Sequence, residues 1–157
     1  MRCDAKKVNP DTILRRFRLV ASRSHCFEIM PRSAPGPKIL LVDDNAVVRD
    51  MLVDLVESLG YAADPASGGA EALALFDQNR YDIVLTDLLM PGMSGWDVLA
   101  AVRQRNPRMP VVIITGTAPA VDDPRAAQAG VAVLRKPVDV KALDDTIKEK
   151  LTRRLAV

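Results

Sequence analysis

Residues 81–87, YDIVLTD, form a largely apolar run that ends in a carboxylate, Asp87. The pattern recurs before three other polar groups: ILLV at 39–42 before Asp43 and Asp44, VVII at 111–114 before Thr115, and VAVLR at 131–135 before Lys136. Apolar runs of this length without polar alternation are typical of parallel strands that are covered on both faces. The sequence therefore predicts four buried strands, each ending beside a side chain with useful chemistry.

Helical patterns separate these runs, so that strand and helix signals alternate five times from residue 38 onward. The predicted strands lie at about 38–42, 61–64, 82–86, 111–115 and 131–135. The predicted helices lie at about 45–59, 68–78, 94–105 and 124–129, with a fifth from about 139. Five such units predict an α/β fold, a doubly wound parallel sheet with helices on both faces.

Apolar residues at helical spacing predict which sides of the first two helices face inward. In the first helix these are Val47, Val48, Met51, Leu52, Leu55, Val56 and Leu59. In the second they are Ala70, Leu73, Ala74 and Phe76. The fourth helix is predicted to be short, with Asp123 near its N-cap, because Pro124 is tolerated only in a first turn.

The polar groups at the strand ends are predicted to converge, because open parallel sheets bind ligands beyond the carboxyl ends of their strands. Asp43, Asp44 and Asp87 would suit a hard cation, while the Thr115 hydroxyl and the Lys136 ammonium would bind anionic oxygens. Such a set suits phosphoryl transfer. Each residue alone also has a structural interpretation: the acidic pair could cap the first helix, the threonine could simply end a strand, and the lysine could be a solvated charge.

Composition is that of a soluble globular protein, with 48% apolar and 27% charged residues. The apolar runs are too short to span a membrane, and a secretory signal peptide is not expected. Both cysteines, Cys3 and Cys26, precede the periodic region. A disulfide scaffold is therefore not expected, and we expect a cytoplasmic protein.

Residues 31–37, PRSAPGP, predict a boundary, so we divide the chain into residues 1–37, a disordered basic extension with a Pro-rich linker, and a globular domain, 38–157. The extension holds eight Lys and Arg against three Asp and Glu, whereas the domain holds 14 against 17. Residues 13–20 of the extension could form a basic amphipathic arm or part of a transit peptide, or be an unstructured tail; the natural chain could also start at Met30. The mildly acidic domain predicts no basic stripe for nucleic acid.

Four motifs of the domain, VDDN at 42–45, DLLMPGMSG at 87–95, TG at 115–116 and KP at 136–137, resemble the receiver domain of two-component response regulators. The resemblance covers residues 38 to about 153. It implies a flavodoxin-like fold, CheY-like, with a five-stranded parallel sheet in the order 2-1-3-4-5.

The resemblance also implies a role for each site residue. Asp87 matches the phosphoacceptor, which becomes an aspartyl phosphate. Asp43 and Asp44 match the acidic pair that holds Mg2+ together with Asp87 and a backbone carbonyl, here that of Leu89. Thr115 matches the switch hydroxyl. Lys136 matches the cation that pairs with the phosphoryl group and, before phosphorylation, with Asp87; the peptide bond that follows it is usually cis in the family.

Three features of the sequence bear on signalling within that family. Val133 occupies the position of the usual switch aromatic, so the coupling from threonine to aromatic is not expected. Pro124 shortens the fourth helix on the same face. Leu89 and Thr117 occupy the positions that tune hydrolysis, and because Leu89 has no polar group to position water, we expect slow self-dephosphorylation.

The predicted function is a single-domain response regulator, since the chain ends at Val157, soon after the fifth helix. Its expected partners are a sensor histidine kinase or histidine phosphotransfer protein and an unidentified downstream protein, with no nucleic acid or membrane bound by the domain. We expect a monomer or a phosphorylation-dependent dimer. The alternative is a pseudo-receiver adaptor that works unphosphorylated. An enzyme acting on other phosphoesters is not expected, because Leu88 and Leu89 stand where an acid/base carboxylate would be needed.

Overall fold

A computed structural model describes residues 36–117 and 123–155 of the chain. The predictions for residues 1–35 therefore lie outside the described residues. Within those two segments strands and helices alternate in the order β1 (Lys38–Val42), α1 (Ala46–Ser58), β2 (Ala62–Ala66), α2 (Gly69–Gln78), β3 (Ile83–Asp87), α3 (Gly95–Arg105), β4 (Val111–Thr115), α4 (Pro124–Ala129), β5 (Ala132–Arg135) and α5 (Val140–Leu155).

The strands form one parallel sheet in the order β2-β1-β3-β4-β5. This confirms the predicted fold and strand order. The register pairs Val42 with Thr86 and Thr115 with Arg135, so the last residues of neighbouring strands lie at one edge of the sheet. Loops that leave this edge can therefore meet above it.

Alternate residues of each central strand enter two separate cores. Leu40, Val84 and Ile113 point to the face covered by α2 and α3, and the buried residues there include Ala72 and Val98. Ile39, Leu41, Ile83, Leu85, Val112 and Ile114 point to the opposite face, where α1 and α5 contribute Leu52, Val56, Leu143 and Ile147. All ten residues of β3 and β4 are buried, as expected for strands covered on both faces.

Three strands differ slightly from the predicted bounds, and the smallest difference is at β5, which begins one residue late. β2 begins and ends later than predicted and includes Pro65, which a strand tolerates here because β2 lies at the edge of the sheet. β3 also starts and ends one residue late, so that Asp87 is its last residue rather than the first residue of the loop. Gly36 and Pro37, assigned to the linker from the sequence, contact the domain: Ala62 donates a backbone hydrogen bond to the Pro37 carbonyl at 3.2 Å.

The predicted inward faces of the first two helices were partly wrong. Val47 and Met51 are 69% and 66% exposed, because the buried stripe of α1 centres on Leu52 and Val56. Ala70 and Ala74 are also exposed, while Gly69 and Ala72 are buried. In α2 the reason is a close approach: a Cβ on Gly69 would lie 2.7 Å from the Cβ of Met93, so this side of the helix must face α3.

The short fourth helix is confirmed. The Asp123 side chain accepts a hydrogen bond from the Arg125 backbone N–H at 2.9 Å and caps α4, with Pro124 in the first turn. Gly130 ends the helix in the left-handed conformation, at φ 62°. Among the described residues, no helix is both long and apolar enough to cross a membrane.

Candidate functional site

Burial singles out the carboxyl edge of the sheet. Among the described residues, the buried polar side chains are Asp43, Thr86, Asp87 and Thr115, all at or next to the last position of a central strand. Asp43 is 1% exposed and Asp87 is 7% exposed. Buried carboxylates destabilise a fold unless they are paired, so their partners define what the site can do.

Lys136 is the shared partner of both carboxylates. Its ammonium nitrogen lies 2.7 Å from an oxygen of Asp43 and 2.7 Å from an oxygen of Asp87. The Lys136 backbone N–H donates to the Thr115 carbonyl at 2.7 Å, which extends the sheet pairing past β5, and the Lys136–Pro137 peptide bond is cis. The predicted contact with Asp87 is present, and the contact with Asp43 is one that the sequence did not reveal.

The two carboxylates also set the protonation state of the lysine. Burial alone lowers the pKa of Lys136, but hydrogen bonds and charge attraction from Asp43 and Asp87 outweigh burial and raise the pKa above its usual value. The ammonium is therefore charged at neutral pH. Two carboxylates and one ammonium leave the cluster with a net negative charge, which favours a further cation.

The remaining carboxylate oxygens accept backbone hydrogen bonds. The Asn45 N–H donates to Asp43 at 2.9 Å, and the Leu89 N–H donates to Asp87 at 3.0 Å. Arg49 donates to the Asp43 carbonyl at 2.9 Å, a contact with no signal in the sequence. These bonds fix the orientation of both carboxylates.

The other predicted residues lie nearby but are not joined to this cluster. Asp44 is exposed, and no hydrogen bond or ion pair of its side chain is found among the described residues. Asn45, rather than either aspartate, caps α1 by accepting from the Val47 and Val48 N–H groups at 3.0 and 3.2 Å. The Thr115 hydroxyl lies 3.0 Å from that of Thr117 and accepts from the Thr117 N–H at 3.2 Å.

A glycine was the main site residue that sequence reasoning missed. A Cβ on Gly95 would lie 2.5 Å from the carbonyl oxygen of Asp87 and 3.0 Å from the Cα of Leu88. Gly95 thus lets the start of α3 pack directly on the end of β3. Its place after the N-cap Ser94, inside the motif at 87–95, was the available signal.

The donor set fits a magnesium ion, although it is not pre-assembled. In the part of the chain that the structure describes, no three acidic, histidine or cysteine side chains stand together as a metal cluster. Asp43 and Asp87 nevertheless converge on one cation, and Asp44 directly follows Asp43 at the same edge. Mg2+ is commonly held by one or two carboxylates plus phosphate oxygens and waters, which two converging carboxylates satisfy.

The fold and this site define a doubly wound domain with a buried aspartate, an acidic neighbour and a lysine at one sheet edge. Residues 39–148 match the family model described as the response regulator receiver domain. The chain therefore belongs to the response regulator receiver domain family.

Relatives include proteins of two architectures. The chain is 37% identical over 122 residues to the chemotaxis protein CheY of Pseudomonas aeruginosa, covering 75% of this chain and 98% of that protein. It is 39% identical over 110 residues to the sensor histidine kinase RcsC of Salmonella typhi, covering 69% of this chain but only 12% of that protein. This chain thus spans about one eighth of the RcsC relative.

Solved structures agree with this placement. A receiver domain protein from Clostridium thermocellum superimposes with a TM-score of 0.72 and 32% identity, covering 76% of this chain and 98% of that one. The response regulator TrrA from Thermotoga maritima, solved in complex with Mg(2+)-BeF, gives a TM-score of 0.67 at 29% identity, covering 73% and 98%.

Proposed function

We propose that Asp87 accepts a phosphoryl group from a phosphohistidine on a sensor histidine kinase or histidine phosphotransfer protein. The observation that carries this proposal is the pairing of the Lys136 ammonium with two buried carboxylates, those of Asp43 and Asp87, at 2.7 Å each. A structural ion pair needs one carboxylate; the second leaves an excess of negative charge that a divalent cation would offset, and such a cation would in turn attract an anionic phosphoryl group.

In the proposed reaction an Asp87 oxygen attacks phosphorus. An O–P bond forms while the P–N bond to the donor imidazole breaks, and the imidazole keeps the electron pair and takes up a proton. Lys136 would then pair with a phosphoryl oxygen, and the Thr115 hydroxyl, now beside Thr117, would turn to donate to another. Both residues would thus stabilise the negative charge that develops on the phosphoryl oxygens during transfer.

Magnesium would be held by Asp43, Asp44, Asp87 and the carbonyl of Leu89. The backbone hydrogen bonds found among the described residues do not use the Leu89 carbonyl. When bound, the ion would supply positive charge that offsets the negative charge of the phosphoryl oxygens.

Treatment with acetyl phosphate and Mg2+, followed by intact mass measurement, tests this function. We expect the wild type to gain one phosphoryl group and Asp87→Ala to gain none. The matched control is Asp64→Ala, which removes a carboxylate from the edge strand β2 and should be phosphorylated like the wild type. No gain in the wild type, or an undiminished gain in Asp87→Ala, would contradict the proposal.

Exposed apolar side chains beside the site support a protein donor. Leu89, two residues after Asp87, is 63% exposed, and Val47 and Met51 are exposed on the first two turns of α1, just after Asp43 and Asp44. Apolar side chains around a polar centre are typical of surfaces that bind another protein. We propose that the donor helix or loop contacts them while its histidine reaches Asp87.

The alternative function, an adaptor that works without phosphorylation, is favoured by one observation. Val133 stands where the family usually has an aromatic residue, so no aromatic side chain can swing inward there. It is partly buried and packs against the core on the face of the sheet that α2 and α3 cover. Wild-type activity of Asp87→Ala in cells would support the adaptor. If Asp87 is phosphorylated, we propose that α4 reports it, since Arg125 of α4 lies 4.8 Å from the Trp96 ring of α3 and so connects the two helices.

The phosphorylated state is expected to be long-lived. Leu89 presents an exposed apolar side chain, which has no polar group to position an attacking water. A time course of the phosphorylated mass under Mg2+ tests this. Loss within seconds would contradict it, and Leu89→Asn is expected to shorten the lifetime.

A further inference from the structure

A basic cavity lies at the amino edge of the sheet, at the end opposite Asp87. Its volume is about 280 Å³. The cationic side chains that line it come from α3, from the loop before β4 and from α5: Arg103, Arg108, Lys150, Arg153 and Arg154. None of the described residues that line it is acidic.

Carboxylates neutralise only part of this charge. Arg153 pairs with Glu149 at 2.9 Å, and Arg154 pairs with Asp82 at 3.1 Å. Lys150 donates to the Gly130 carbonyl at 3.0 Å. Within the described residues, no ion pair is formed by Arg103, Arg108 or Lys150.

Arg103 is the most informative member of the set. Its Nε atom is buried and has no hydrogen-bond partner, which is costly for a guanidinium and unusual in a folded protein. Lys150 carries a related cost: burial, and repulsion from Arg153 and Arg103, lower its pKa despite the attraction of Glu149. An anion in the cavity would offset the repulsion between Lys150 and its cationic neighbours and would bind the part of the Arg103 guanidinium that lines the cavity.

We propose that this cavity binds a small phosphate-bearing ligand through Arg103 and Lys150, with Arg108 closing over it. Arginine forks match phosphate oxygens in bidentate geometry, and several cations in one cavity suit a multiply charged anion better than a single carboxylate.

The rest of the cavity wall indicates an organic phosphate rather than a free ion. Met109, which is 3% exposed, lies in the wall with Pro107 and Pro110 and offers apolar contact beside the cations. An adjoining cavity of about 410 Å³ shares Met109 and Arg154 with the first. A ligand of nucleoside-phosphate size could place its phosphates among the cations and its apolar part on this wall.

Titration of the 15N-labelled full chain with adenosine diphosphate in EDTA tests the proposal. EDTA removes divalent cations, so that the Asp87 end has none with which to engage the probe. We expect saturable shifts of the Arg103, Arg108 and Lys150 amides. Arg103→Gln should weaken binding at least about tenfold, as loss of a charge-assisted contact requires.

The matched control is Arg105→Gln. Arg105 lies on the same helix and has the same charge, but it pairs with Asp77 at 2.7 Å and does not line the cavity. Equal weakening by both variants would overturn the proposal, because it would show only an effect of net charge. Binding of a duplex DNA oligonucleotide or an acidic peptide without binding of adenosine diphosphate would overturn it as well.

Lys150→Gln provides a second variant should Arg103→Gln fold poorly. It should weaken binding of adenosine diphosphate while leaving phosphorylation by acetyl phosphate unchanged, since Lys150 lies at the opposite edge from Asp87. An unchanged affinity in this variant would overturn the assignment of the cavity.

Discussion

The two edges of this sheet carry opposite charge arrangements. At the carboxyl edge, two buried carboxylates share one ammonium, that of Lys136. At the amino edge, five cationic side chains line one cavity, and ion pairs with carboxylates are seen for two of them, Arg153 and Arg154. The small net charge of the domain does not show this separation, because the charges of the two edges largely cancel in the sum.

The topology explains part of this difference. In a parallel α/β sheet every helix begins near the carboxyl edge and ends near the amino edge, where its dipole favours cations. Arg103 and Arg105 lie in the last turn of α3, and Arg153 and Arg154 in the last turn of α5. The dipole accounts for the sign of the charge at that edge, but it does not account for a buried Arg103 Nε without a partner.

Removing the shared cation should have the largest effect at the carboxyl edge. Lys136→Met would leave two buried carboxylates facing each other, and we expect a loss of about 2–4 kcal/mol in the free energy of unfolding. Urea unfolding followed by circular dichroism measures it. Lys141→Met, which replaces a lysine whose side chain is 83% exposed, is the control and should not measurably change stability. Equal losses of stability from the two substitutions would contradict the claim that Lys136 stabilises the carboxyl edge by pairing with buried carboxylates.

Packing provides the second contrast, because the carboxyl edge is closely packed where the amino edge holds a cavity. Gly95→Ala would place a methyl group 2.5 Å from the Asp87 carbonyl oxygen, and we expect destabilisation of about 1–3 kcal/mol. At Gly116, beside the same site, a Cβ would meet nothing within 4 Å, so Gly116→Ala should be far milder. Thermal unfolding of both variants measures the two losses of stability. A smaller loss for Gly95→Ala than for Gly116→Ala would contradict the structure.

The smallest expected effect is that the pKa values of Lys136 and Lys150 are shifted in opposite directions. The pKa of Lys136 is raised, so it contributes stability that is lost as pH rises through that pKa. The pKa of Lys150 is lowered, so its charge opposes folding at neutral pH, and that penalty disappears as the pH rises. Side-chain NMR titration measures both. A Lys150 pKa at or above that of Lys136 would contradict the charge arrangement.

Sequence reasoning was most successful at the carboxyl edge. Each candidate residue there follows an apolar run, and a parallel sheet brings such positions together, so the location of Asp43, Asp87 and Lys136 could be predicted from the sequence. The contact of Lys136 with Asp43 could not be predicted, because the position of the lysine side chain depends on the path of the loop after β5.

At the amino edge no pattern in the sequence predicted the cavity. Its cations lie near positions 103, 108 and 150–154, on elements that only the folded sheet brings together. The exposure of Val47 and Met51 was missed for a related reason: helical spacing identifies an apolar stripe, but the neighbouring elements determine how wide a stripe is covered.

The most direct test of the central claim is to locate the phosphoryl group chemically. The full chain is treated with acetyl phosphate and Mg2+, reduced with borohydride, which converts an aspartyl phosphate to homoserine, and mapped by peptide mass spectrometry. Reduction at position 87 alone is the predicted result. Reduction at another aspartate, or none in a protein that is fully folded, would contradict the assignment of Asp87 as the phosphoacceptor.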